Sequence, residues 1–113
     1  MNVNSNKLSF SLGTILSYNE LISLNSYNDG LWHHFVGIYD GAYMRIYIDG
    51  EEKRIFARTE KIKDSSSWNI GGATRFFNGQ IDEVMLYNRA LSANEVKGIY
   101  CSQGGDPITC LTL

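Results

Sequence analysis

Proline is almost missing from this chain: Pro107 is the single one in 113 residues. Beside 11 glycines, that scarcity fits a β protein with tight turns. A dominant charge sign is also missing. The formal net charge is -2, so nothing electrostatic points to nucleic acid or an anionic membrane surface as partner. No apolar run approaches the roughly 20 residues of a membrane-spanning helix. Met1 to Asn6 is polar and has no apolar stretch, so no signal peptide is expected there. Cysteine is scarce, and Cys101 and Cys110 both fall near the C-terminus, with Gly104, Gly105 and Pro107 between them. Two readings stand: a small disulfide loop in an oxidising compartment, or two free thiols in a loose tail over 101–113. What is present is 43% hydrophobic and 19% charged, which favours a folded chain over a disordered one. The length suits one domain, 1–113, and neither an internal repeat nor a low-complexity tract stands out.

Short alternating runs broken by turn signals make up most of the chain. Leu8, Phe10 and Leu12 alternate with Ser9 and Ser11, and Glu20 to Leu24 repeats the pattern. Tyr27-Asn28-Asp29-Gly30 reads as a turn. Leu31 to Tyr39, Ala42 to Ile48 and Glu52 to Ala57 are strand-like, and Asp40-Gly41 and Asp49-Gly50 separate them. Asp-Gly between alternating runs is a hairpin signal, because both central residues of a type I′ turn take positive φ. A three-stranded antiparallel meander is therefore predicted. In its middle strand Met44, Ile46 and Ile48 face one way, and Tyr43, Arg45 and Tyr47 face the other. Trp68 to Ile70 reads as a short strand. Gly79 to Asn88 reads as another, apolar on both sides and so expected to be buried for part of its length.

One short helix is predicted near the C-terminus. Ser92-Ala93-Asn94-Glu95 matches a capping box, with Ser92 as N-cap and Glu95 three residues on. Leu91 and Val96 are placed to form the hydrophobic staple, and Ile99 and Tyr100 extend its apolar side.

These segments resemble a known family. Trp32-His33-His34-Phe35-Val36-Gly37-Ile38-Tyr39-Asp40-Gly41 is similar to the corresponding strand and turn of laminin-G-like jelly rolls. Met44 to Gly50, Ile70-Gly71-Gly72, and Phe77 to Ser92 resemble the following elements, in family order. The resemblance implies an all-β, antiparallel β-sandwich of the concanavalin A-like type with one short C-terminal helix. In that pattern Trp32 opens a core strand. Relatives carry several strands before the position of Lys7, so the chain reads as the C-terminal portion of the domain. A homo-oligomer, with another copy covering the open sheet, is the expectation that follows.

Candidate functional residues are few. Tyr43, Arg45 and Tyr47 on one strand face form a candidate carbohydrate platform: rings for stacking, a guanidinium fork for hydroxyls or carboxylates. Trp68, after a serine loop, is either a further stacking residue or a core anchor. Pentraxins, of related fold, hold calcium partly through acidic residues after the Gly-Gly strand, and here Gly71 to Gln80 has no carboxylate. No cofactor is firmly expected. A single structural calcium, as in some laminin-G-like relatives, would fall to Asp82. His33 and His34 are adjacent, so in a strand they face opposite sides and cannot serve one metal. Asp82 and Glu83 diverge for the same reason. A retaining glycosidase needs carboxylates about 5 Å apart across a cleft, and no such pair is legible. The leading expectation is a non-catalytic carbohydrate- or glycan-binding module, secreted or on the cell surface. One rival is a structural or protein-interaction (adhesion) domain that oligomerises through exposed sheet edges. A small hydrolase, with an acid pair such as Glu20 and Glu83, is the other.

Overall fold

The structure, a computed structural model, describes residues 2–4, 7–13, 18–62, 70 and 79–110. Two antiparallel three-stranded sheets form its body. The first has β1 (Asn2–Asn4), β2 (Lys7–Gly13) and β3 (Tyr18–Ser26) in that order, and the second has β4 (Phe35–Tyr39), β5 (Tyr43–Ile48) and β6 (Glu51–Ala57).

Strand alternation turns Met44, Ile46 and Ile48 of β5 towards the first sheet, where they bury with Leu12 and Leu21. Leu8, Phe10, Tyr27, Phe35 and Tyr39 pack around this core. The two sheets are in close contact where the Phe10 ring lies over Gly37 of β4. Arg54 of β6 donates to the carbonyl of Ile22 on β3, 2.8 Å away, and ties the sheets at their border.

The predicted meander is present, but its two turns differ. Asp49 and Gly50 have φ of 53° and 81°, the double positive φ of a type I′ turn. At the other turn Gly41 alone is positive, at 89°. There Asp40 works through its side chain, accepting from the amides of Ala42 and Tyr43 at 2.8 and 2.7 Å.

Behind the second sheet lies α1 (Ala93–Ser102). Ser92 is its N-cap, and the capping box with Glu95 is complete. Val96 is fully buried against Ile38 and Tyr47, with Leu91 and Val36 beside it, so the staple also packs the helix onto the sheet. Further along, Tyr100 leans on Gly50 and Gly105, and its hydroxyl donates to Asp106 at 3.0 Å. Cys101 and Cys110 are joined by a disulfide, and α2 (Pro107–Cys110) follows α1. Over 101–110 the expected loose tail is therefore a folded clasp, organised by the disulfide and by the Tyr100–Asp106 contact.

Two expectations are corrected. Residues 79–90 form no strand. Glu83 has φ of 53°, which breaks the extended run, and no described strand supplies a ladder. Val84 and Leu86 are accordingly exposed rather than buried. Trp32 is the second correction. The strand begins only at Phe35, so Trp32 lies in the preceding loop and is 66% exposed. Of the strand expected over Trp68 to Ile70, all but Ile70 lies outside the described residues.

Candidate functional site

The outward face of the second sheet is covered unevenly. Opposite residues in an antiparallel pair share a face, so Val36, Ile38, Arg45, Tyr43 and Tyr47 lie together. Helix α1 covers the end with Val36, Ile38 and Tyr47 and leaves the end with Tyr43 and Arg45 open. Tyr47 is 7% exposed, and this burial, followed by the charge of Glu52, raises the pKa of its phenol. It shares the strand face of Tyr43 and Arg45 but, covered by α1, offers little of its ring to solvent.

Arg45 is held at two points. Its Nη1 donates to Asp40 Oδ2 at 2.7 Å, and its Nε lies 3.0 Å from Glu52 Oε1. The guanidinium carbon is 5.2 Å from the centre of the Tyr43 ring, within cation–π range. Tyr43 itself is 41% exposed. Asp40 keeps its charge readily: the amides of Tyr43 and Ala42, and then Arg45, lower its pKa. Glu52 also borders an open hollow lined by Lys53, Arg54 and Ile55. Asp40 and Glu52 were not singled out from sequence. The signal for Asp40 was its place before Gly41, which reads as turn chemistry alone. Glu52 becomes Arg45's neighbour through a register shift between Ile46 and Tyr47.

The other candidates do not join this group. Asp82 is exposed, and its Oδ1 accepts from the amide of Glu83 at 2.8 Å. Calcium takes roughly six to eight oxygens. Among the described residues no three His, Cys, Asp or Glu side chains are grouped to hold a metal. Trp68 lies outside the described residues. His33 and His34 do diverge: His33 is bound between Asp29 and Asp49, while His34 turns towards Tyr100, with ring centroids 5.7 Å apart.

Two stacked antiparallel sheets, a helix on one outer face and an open polar-aromatic surface beside it define a lectin-like β-sandwich domain. The chain belongs to the laminin-G-like family, described as the concanavalin A-like lectin/glucanases superfamily, whose model matches residues 1–97. No curated protein matches it. Among solved structures it is similar to an S-layer domain-containing protein of Clostridium thermocellum (residues 221–444), with 21% identity and a TM-score of 0.56. That match covers 83% of this chain and 51% of the other, so the chain spans about half the length of that structure. At this identity the likeness speaks for the fold. No described helix is long and apolar enough to cross a membrane.

Proposed function

We propose that this chain is a non-catalytic carbohydrate-binding module that takes a glycan on the open end of its second sheet. The observation that carries the reading is the exposed Tyr43 ring beside an Arg45 whose position is already set by Asp40 and Glu52. A sugar ring presents a CH face to an aromatic side chain and hydroxyls to carboxylates and guanidinium groups. Side chains fixed before binding lose little further freedom when the ligand arrives. The hollow beside Glu52 extends the surface, and Trp68 is a proposed further contact. The disulfide between Cys101 and Cys110 fits an oxidising compartment, which supports a secreted or surface location. A structural neighbour named for its S-layer domain agrees with that location.

A polysaccharide pull-down in calcium, repeated in EDTA, tests this reading. Tyr43→Ala and Arg45→Ala are expected to lose retention at least tenfold while keeping the wild-type melting point. Tyr47→Ala is expected to fail differently, by destabilising the fold by about 3 kcal/mol or more. Retention that survives both Tyr43→Ala and Arg45→Ala, or no retained glycan at all, would sink the proposal. Sensitivity to EDTA would point to a metal held outside the described residues.

A second reading rests on a separate observation. Ile81, Val84, Met85, Leu86 and Tyr87 are all exposed within the strandless stretch 79–90. Apolar exposure of this kind favours an interaction or adhesion role, with a second copy or a partner protein covering the segment. Light scattering over a dilution series decides it: a compact monomer throughout would remove the self-association form.

A further inference from the structure

His33 sits between two carboxylates. Its Nδ1 is 2.8 Å from Asp49 Oδ2, and its Nε2 is 2.9 and 3.0 Å from the two oxygens of Asp29. An ionised carboxylate only accepts hydrogen bonds, and a neutral imidazole carries one N–H. A neutral His33 would therefore turn a lone pair towards one of the two carboxylates. Both contacts are satisfied together only when the ring carries a proton on each nitrogen, and each is then a charge-assisted bond.

The two carboxylates are anchored differently. Asp49 belongs to the β5–β6 turn and is locked to its neighbour: its Oδ1 accepts from the His34 amide at 2.9 Å, and its own amide donates to the His34 carbonyl at 2.8 Å. Asp29 belongs to the loop before β4. Beyond His33 it holds the Leu31 amide, 3.0 Å away and within the same loop. The side chain of Asp29 is 46% exposed and that of His33 only 16%. Loop 29–32 carries two of the large apolar side chains left to solvent, Leu31 at 71% and Trp32 at 66%.

We infer that His33 is a proton-dependent latch: as an imidazolium it ties the Leu31–Trp32 loop to the Asp49–Gly50 turn, and on losing one proton it keeps Asp49 and releases Asp29. The groups that face it come from several elements. Tyr27, just beyond β3, meets the imidazole edge-on at 5.1 Å. Asp49 also acts electrostatically on Lys53 of β6, on Tyr100 of α1 and on His34. The balance at His33 favours the charged form. Burial works against it, but the bonds to Asp49 and Asp29 outweigh burial and raise its pKa above the ordinary 6.5. His34 goes the other way, lowered by its burial. While both carboxylates stay ionised, the latch is therefore closed below about pH 6.5 and opens as pH rises through the raised value at His33.

The experiment follows the two ends of the latch together. NMR titration reads the His33 ring. Fluorescence anisotropy of a Trp68→Phe chain, in which Trp32 is the remaining indole, reads the loop. The backbone amides of Gly30 and Leu31 in the unsubstituted chain give a second loop readout if Trp68→Phe does not fold. The expected result is a His33 midpoint above 6.5, with Trp32 gaining mobility over the same pH range. Asp49→Asn supplies the decisive variant. Its Oδ1 still accepts from His34, while its Nδ2 donates to a neutral His33 Nδ1, which leaves Nε2–H for Asp29. In that variant the His33 midpoint is expected to fall and the loop transition to vanish from the range above 6.5. A wild-type His33 midpoint at or below 6.5, or a loop signal that stays flat while His33 titrates, would overturn the inference.

Discussion

A β-carbon built on Gly37 would lie 2.5 Å from the ring of Phe10. These two residues mark a close contact between the sheets, and the approach requires that position 37 have no side chain. Gly37→Ala must push Phe10 aside in a packed interior, and overpacking of this kind costs about 1–3 kcal/mol. Urea denaturation should show that loss. In a Phe10→Leu background the added methyl has more room, so the penalty for Gly37→Ala should shrink. Equal penalties in the two backgrounds would mean that the sheets do not meet here.

The two hairpin glycines should respond unequally to valine. Gly41 has positive φ and open space around it, so Gly41→Val carries the conformational penalty alone, about 1 kcal/mol or more. Gly50 also has positive φ, and a β-carbon there would lie 2.8 Å from Tyr100. Gly50→Val is therefore expected to lower the melting point further than Gly41→Val, and Tyr100→Ala should remove most of the difference. Equal melting points for the two valine variants would mean that Tyr100 does not rest on that turn.

The start of α1 should be sensitive to acid. Arg89 donates to Glu95, and with the Ser92 amide it lowers the Glu95 carboxyl from 4.5 to about 2. A lowered folded value means that the contribution is present above the unfolded value and is lost as pH falls from about 4.5 towards 2. The pair lies at the solvent-facing surface of the helix start, so the effect is read as a change in helical far-UV signal and not as an energy. Arg89→Ala should move the acid midpoint of that signal upwards. At neutral pH, Ser92→Ala should cost about 1 kcal/mol, and an unchanged stability would place the helix start elsewhere.

Much of this architecture could be read from residues whose demands are local. Asp49-Gly50 needs its own positive φ, and Ser92 with Glu95 closes a helix end by itself, so hairpin and helix were both legible. Alternation also placed Tyr43, Arg45 and Tyr47 on one face correctly. It could not say what lies over that face. Val96 and Leu91 settle that by burying Tyr47, and they come from a helix far along the chain. For residues 79–88 the pattern promised a strand, but a strand needs a partner as well as a period, and none is described beside it. Trp32 was placed in the core because it opens a core strand in the family pattern. The bonds of Asp29 to Leu31 and His33 hold that stretch as a loop instead, and though they span only two and four residues, the alternation of apolar residues carries no mark of them.

The disulfide described above also sets a route for mechanical load. A pull applied beyond Cys110 passes through the sulfur bridge to Cys101, so the intervening residues carry little of it. The force enters α1 near its C-terminal end, one residue from Tyr100, and reaches the sheets through the seat of Tyr100 on Gly50 and of Val96 on Tyr47. Under tension the outer face of the second sheet would thus be stripped of its helix before the buried seam between the sheets was loaded. For a domain fixed to a surface by that end, the helix would be the part that yields first.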